Sequence, residues 1–258
     1  MKTQHTLKAD AVVLRHSDWG EADRLLVIFS REGGKLRAIA KGARRLRSRK
    51  AGHLEPFTRV SMLLARGRDL WIVTQAETLD AFLPLREDLL RTGYASYVVE
   101  LLDRFTYEEG GNLSLYRLLC DTLQRLSQEA DIPPVVRYYE LRLLDLVGFR
   151  PELTSCVGCG KKIEAENQYF SAAAGGVMCP SCGMKMAQVL PVSMRALKFI
   201  RHYQRSSYQD AMRARLPQAV RPEIEGLLQY YITYVLEQNL KTPGFIRAVE
   251  KGPQTPGG

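Results

Sequence analysis

Histidine is scarce and the familiar catalytic patterns are missing. The four histidines, at 5, 16, 53 and 202, stand in no recognisable nucleophile or metal context. Gly33-Gly34-Lys35 lacks the G-x-x-x-x-G-K-[ST] spacing that cradles nucleotide phosphates and reads as a turn, and no dinucleotide fingerprint occurs. The carboxylate pairs Glu87-Asp88 and Glu108-Glu109 fall at helix ends, where such groups cap or are solvated. Catalysis therefore has no constellation to rest on, and no enzymatic activity is expected. Long hydrophobic runs are absent too. The longest, Leu25 to Phe29, is far short of the roughly 18–20 apolar residues of a membrane span. Met1 to Lys8 lacks the apolar stretch of a secretory signal, which points to the cytoplasm and to reduced thiols.

What is present is a chain of 258 residues with globular composition and a net charge of +9. The surplus is local. Residues 1–80 carry 16 Lys/Arg against 9 Asp/Glu, whereas residues 81–258 carry 21 against 19. A basic third on a near-neutral remainder implies a localised polyanion site, for nucleic acid or anionic lipid.

Residues 9–80 read as β-structure. Ala11–Arg15, Arg24–Phe29, Lys35–Ala40, Arg59–Leu64 and Leu70–Thr74 are five short β-prone runs separated by turn sequences, which suits a small barrel. Arg66-Gly67-Arg68-Asp69 reads as a tight hairpin connection, and Lys41 to Pro56 is the long one. From Pro84 the hydrophobic period becomes helical: Leu89, Tyr94, Tyr97, Val98, Leu101 and Leu102 form one stripe, and Leu115, Leu119, Leu123 and Leu126 a second. Pro133-Pro134 opens a third helix that ends at Gly148, and 191–205 and about 222–240 supply two more. The expected class is α+β: a barrel domain over 1–80, a helical domain over 81–250 with a cysteine-rich insertion at 150–186, and a flexible Pro/Gly-rich tail at 251–258.

The insertion contains Cys156-Val157-Gly158-Cys159 and Cys179-Pro180-Ser181-Cys182, a C-x2-C-x19-C-x2-C array within zinc-ribbon spacing. Two residues between thiolates make a knuckle that offers both sulfurs to one tetrahedral ion, and four sulfurs leave no open position, so a structural Zn2+ is expected. An iron–sulfur cluster, a redox pair or unrelated thiols are the alternatives. Cys120 lies on an apolar helix face and reads as a core thiol.

Lys35, Arg37, Lys41, Arg44, Arg45, Arg47, Arg49 and Lys50 put eight cations into sixteen residues free of Asp and Glu. Lys35 and Arg37 alternate with apolar neighbours on a strand, and the rest stand at its end and on the loop that follows it. A cationic strand face feeding a basic loop suits the backbone of nucleic acid, single-stranded or duplex; the plain alternative is a solvated charge run. Contacts of this kind position a strand without reading its sequence. Trp19, Phe29, Phe57 and Trp71 are the aromatics nearby, each read as core or rim packing before base stacking.

In this order of parts the sequence resembles the RecO family of bacterial DNA repair proteins. The resemblance runs from about residue 10 to residue 246 and is carried by Gly20-Glu21-Ala22-Asp23-Arg24-Leu25, by Gly34 to Arg45, and by Leu54-Glu55-Pro56-Phe57. Tyr139 to Leu144, Gly148-Phe149-Arg150-Pro151 and the first cysteine pair extend it. The resemblance implies an N-terminal OB-fold, a helical domain behind it, and a zinc ribbon that some members lack. It implies binding of single- and double-stranded DNA, annealing of complementary strands, and help in replacing single-stranded-DNA-binding protein with RecA, together with RecR. It implies no membrane partner and a place in the cytoplasm with the nucleoid. On this basis the eight cations from Lys35 to Lys50 are assigned to DNA. Arg137, Arg142, Arg195, Lys198 and Arg201 are candidates for the acidic, Phe-ended tail of single-stranded-DNA-binding protein. The competing classes are a zinc-ribbon RNA- or transcription-associated binding protein and a DNA-processing enzyme such as a nuclease.

Overall fold

The computed structural model describes residues 6–108, 110–237, 240 and 242–250; the expected tail at 251–258 lies outside the described residues. The chain forms two compact units, one reaching Glu129 and resuming at Thr242, the other running from Ala130 to Lys241.

The first unit begins with β1 (Thr6–Trp19), β2 (Asp23–Ser30), β3 (Gly34–Ala40), β4 (Arg59–Arg66) and β5 (Trp71–Asp80), closed into a barrel in the order β1-β2-β3-β5-β4. All neighbours are antiparallel except β3 and β5, which run parallel through Ala38↔Trp71 and Ile39↔Ile72. This is the OB-fold arrangement. Alternation fills the interior from every strand: Ala9, Ala11 and Val13, then Leu26 and Ile28, Leu36, Ala38 and Ala40, Val60, Met62 and Leu64, and Val73. The many alanines match the narrow bore of a five-stranded barrel, where large residues from every strand would collide. Ala43 and Leu54, from the long β3–β4 connection, join the same core.

The helices α1 (Pro84–Glu87), α2 (Leu89–Phe105) and α3 (Leu113–Gln128) stay with the barrel. Two carboxylates fasten them. Asp103 on α2 takes Lys35 Nζ at 3.0 Å and Arg15 Nε at 3.0 Å, while Lys35 also donates to the Asp103 carbonyl at 2.6 Å. Asp10 on β1 takes Arg59 Nε at 3.0 Å from β4 and the Tyr116 hydroxyl from α3. Burial raises the Asp103 carboxyl, but hydrogen bonds from Lys35 and Arg15 outweigh it and hold the group below its ordinary value. Asp10 behaves alike, with Arg59 and Tyr116 as the donors that outweigh burial.

The second unit holds α4 (Ile132–Leu146), then a three-stranded sheet of β6 (Gln168–Ser171), β7 (Gly176–Met178) and β8 (Leu190–Val192) in the order β7-β6-β8, with the short α5 (Pro180–Gly183) between β7 and β8. The ribbon thus draws its third strand from beyond residue 186. Helices α6 (Met194–Arg205), α7 (Tyr208–Arg213) and α8 (Arg221–Leu236) pack with α4 around Tyr139, Leu143, Leu144, Ile200 and Leu228. The helix α9 (Thr242–Glu250) belongs to the first unit: Thr242 N donates to Glu100 Oε2 at 3.0 Å, and Tyr94 donates to Glu250 Oε1 at 2.7 Å. The change from strands to helices near residue 80 is as expected, yet packing groups α1 to α3 and α9 with the barrel, because their carboxylates and apolar faces are satisfied there.

Two outcomes follow. Leu54 is fully buried, so Leu54→Ala should cost about 2–5 kcal/mol in urea unfolding, loosening the long connection together with the barrel. Because the Asp103 and Asp10 carboxyls titrate lower folded than unfolded, their contribution is complete above their ordinary value of 3.8 and is lost as pH falls through the folded values. Urea midpoints measured from about pH 5 down to about pH 3 should therefore fall, and less steeply in Asp103→Asn.

Candidate nucleic-acid interface and metal centre

The cationic face grows from the end of β3. Even-numbered residues of this strand enter the barrel and odd ones point outward, so Lys35 and Arg37 emerge on one side. Gly42, at φ +65°, then turns the chain sharply; its N–H donates to Asp23 Oδ1 at 2.7 Å. Ala43 and Leu54 pin the connection into the barrel mouth, and between them the chain makes short turns closed by Arg45 N to Gly42 O at 3.2 Å and Ser48 N to Arg45 O at 2.9 Å. Between these pins Arg44, Arg45, Leu46, Arg47 and Arg49 are pushed outward.

The eight cations divide by what holds them. Lys35 is consumed by Asp103, its side chain only 13% exposed. Lys50 donates to the Val73 carbonyl at 3.1 Å, which fastens the end of the loop to β5. Arg44 lies 3.2 Å from Asp18 Oδ2 and donates to the carbonyls of Gly20 and Glu21, tying the loop to the β1–β2 hairpin. Arg37 is half exposed with Glu108 at a loose 3.8 Å. Lys41, Arg45, Arg47 and Arg49 are exposed. The run thus combines three anchoring residues with five presented ones. Leu46 stands fully exposed among them.

The aromatics sort as clearly. Phe29 and Phe57 are buried, whereas Trp19, at the hairpin tip that Arg44 grips, is 51% exposed. The tight turn at Gly20, with φ +56°, carries Trp19 out beside the basic loop. Nothing in a lone tryptophan before a glycine marks which side of a hairpin it takes. Arg66 and Arg68, at the β4–β5 turn, reach the surface as well.

Of the cations considered for an acidic peptide, Arg137 is buried in α4 beside Glu140, with Nε 3.2 Å from Oε2. Arg142 stacks over Tyr138 and donates to the carbonyls of Gln204 and Ser206. Arg201 donates to the Leu153 carbonyl at 2.5 Å. These three knit the second unit together, and only Arg195 and Lys198, one turn apart on α6, are exposed.

The four ribbon cysteines converge, with all four Sγ atoms within 4.8 Å of one another and those of Cys159 and Cys179 at 3.9 Å. A tetrahedral ion with sulfurs at about 2.3 Å requires edges of about 3.8 Å, so the cluster fits a closed four-sulfur site for one ion. The amide of Cys179 donates to Cys156 Sγ at 3.3 Å. Burial raises the Cys156 thiol, but amides of Cys179, Cys159 and Gly158 overcome it and bring the thiol down to about 6. Cys182 is pushed up to about 12, first by its hydrogen bonds with Cys179 and Cys159. The Cys156 thiolate forms readily while Cys182 resists, which is the situation a divalent cation relieves. Gly160 turns the first knuckle at φ +74°, as its place after Cys159 suggests. Gly183 acts differently: it is helical, and a Cβ there would lie 2.3 Å from the Tyr169 ring.

Comparison with known proteins agrees with this architecture. The family model for the Recombination protein O N terminal matches residues 1–82, and that for the Recombination protein O C terminal matches residues 86–243. A DNA repair protein RecO of Roseiflexus sp. (strain RS-1) is 41% identical over 244 residues, covering 95% of this chain and 86% of the relative. One from Pelotomaculum thermopropionicum is 38% identical over 246 residues, 95% of each chain, and one from Dehalococcoides mccartyi (strain CBDB1) is 33% identical over 242 residues, 93% of this chain and 95% of the relative.

The cysteine geometry leads to an expected stoichiometry of one divalent ion per chain by elemental analysis, with loss of the ion in Cys156→Ser. Amide exchange of residues 152–192 should then accelerate, while the barrel strands keep their protection, since the ribbon's small sheet lacks a core of its own size.

Proposed function

The chain belongs to the RecO family of DNA repair proteins, and from that premise we propose that it binds single- and double-stranded DNA through its barrel, anneals complementary strands, and with RecR assists RecA onto DNA coated by single-stranded-DNA-binding protein. The observation that carries this reading is the β3–β4 connection: pinned at Ala43 and Leu54 and free of Asp and Glu from Lys41 to Leu54, it turns Lys41, Arg45, Arg47 and Arg49 to solvent. Guanidinium forks match phosphate oxygens, and the exposed indole of Trp19 offers a face for an unstacked base.

The mechanism is electrostatic. Two strands repel through their phosphates; a surface that neutralises several on each lowers the barrier to their approach, and base pairing supplies the free energy of annealing. No bond is broken and no nucleotide is hydrolysed. Because the contacts are to backbone, the protein accepts any sequence. Zn2+ is the ion proposed for Cys156, Cys159, Cys179 and Cys182; four sulfurs saturate it, so it supplies stability to the ribbon and no reactive position. For the acidic tail of single-stranded-DNA-binding protein, this reading uses Arg195 and Lys198. Among the described residues no helix is long and apolar enough to cross a membrane.

If about five phosphates are neutralised per single-stranded site, log K against log salt should fall with slope about −3.5. Changing Arg44, Arg45, Arg47 and Arg49 together to Ala should weaken binding by roughly tenfold or more at about 0.1 M salt and flatten that slope. Wild-type affinity in this variant, or a salt-independent wild type, sinks the reading; tighter binding of RNA than of DNA in competition moves it to RNA.

A further inference from the structure

The β4–β5 hairpin builds a second cationic surface away from the basic loop. Its connection is tight: Gly67 N donates to Leu70 O at 3.0 Å, and a Cβ on Gly67 would lie 2.4 Å from that oxygen. Tightness fixes Arg66 opposite Trp71 in the ladder, and the Arg66 guanidinium carbon lies 5.6 Å from the centre of the indole, within cation–π range.

Beside this hairpin the barrel is incompletely zipped. β3 meets β5 only at Ala38↔Trp71 and Ile39↔Ile72, so the earlier part of β3 diverges from the hairpin. The opening left there has a volume of about 50 Å³ and is lined by Arg37, Arg66, Arg68 and Trp71, with Asp69 and Glu108 beside them. Three guanidinium groups face two carboxylates. The 3.8 Å separation of Arg37 from Glu108, both about half exposed, leaves that guanidinium free to exchange its partner. The opening matches one tetrahedral anion.

We propose that this opening seats a single backbone phosphate of the bound strand, so that the DNA path runs from the 41–50 loop along the β3–β5 seam to the β4–β5 hairpin. This rests on the single-stranded-DNA reading above and adds a contact to it. The intervening surface is suited to a strand. Ile39 and Ile72, paired across the seam, are half buried and bear no charge, and Arg37 and Lys41 bracket them about 13 Å apart along β3. The arrangement is cation, apolar patch, cation, which permits base contact between phosphate contacts. The cation–π pair serves the site by holding the Arg66 guanidinium at the rim.

The test uses the full chain carrying Trp19→Phe, in which Trp71 is the sole indole of the two in the sequence. Titration with oligo(dT) should change the Trp71 emission, and inorganic phosphate at equal phosphate concentration should not. In a second variant, Arg66→Ala with Arg68→Ala, oligo(dT) affinity should fall by about threefold or more at low salt, and the salt slope should shrink by about 0.7 for the one phosphate lost. Unchanged affinity and slope in this pair, while the four-arginine loop variant loses both, overturns the phosphate seat and leaves the wider reading intact. An indole response to inorganic phosphate but not to oligo(dT) overturns it also, assigning the opening to a free anion. If the loop variant keeps full affinity while the hairpin pair loses it, the proposed path from the 41–50 loop to the hairpin is overturned.

Discussion

The closure of the barrel by parallel strands is the constraint on which the rest of the first unit depends. Strands that run the same way cannot be joined by a hairpin, and five strands in the order β1-β2-β3-β5-β4 oblige the chain to cross the barrel end between β3 and β4. The connection of residues 41–58 is therefore a topological necessity before it is anything else. A long connection over a barrel mouth exposes backbone and threatens to flap. Here Ala43 and Leu54 enter the core, Lys50 is bonded to the Val73 carbonyl, and Arg44 is bonded to the β1–β2 hairpin. What remains is a restrained loop whose free side chains are nearly all cationic, which lowers the ordering entropy that a floppy polybasic segment loses on meeting a polyanion.

Charge count and charge availability are different quantities in this molecule. Asp103 uses Lys35 and Arg15, Asp10 uses Arg59, and Glu55 uses Arg24 at 2.8 Å with His16 at 3.4 Å. These half-buried pairs join strands to each other and to α2 and α3, so part of the basic surplus of the N-terminal third acts as mortar. The cations left over stand on the long loop, on the outer face of β3 and on the β4–β5 hairpin. The same separation occurs in the second unit, where Arg137, Arg142 and Arg201 are turned inward and Arg195 and Lys198 outward.

The elements that sequence patterning made legible are those with short-range causes. Short β-prone runs between turn residues located all five barrel strands, because the interior positions must be apolar; the cysteine array located the knuckles, because tetrahedral coordination by paired sulfurs constrains the spacing. Boundaries set by distant partners were not legible. The helix α9 packs on Gly93 of α2, whose missing side chain admits Ile246 and Phe245 to about 3.2–3.3 Å of where a Cβ would sit, and neither segment announces the other. The division after Glu129 has the same origin. Among the site residues, a strand pattern showed that Lys35 points outward but not that Asp103, 68 positions later, was waiting for it. Gly183 is a place for the Tyr169 ring, and composition records that a side chain is absent and not what occupies the space.

The return of α9 to the first unit has a consequence for biosynthesis. The ribosome delivers the barrel and α2 early, yet the face of α2 around Gly93 must wait while the whole of Ala130–Lys241 emerges before Ile246 and Phe245 arrive to cover it. Completion of the N-terminal unit thus waits on residues made after the whole of the second unit, and a chain terminated before Thr242 displays an uncapped helix on the unit that was made first.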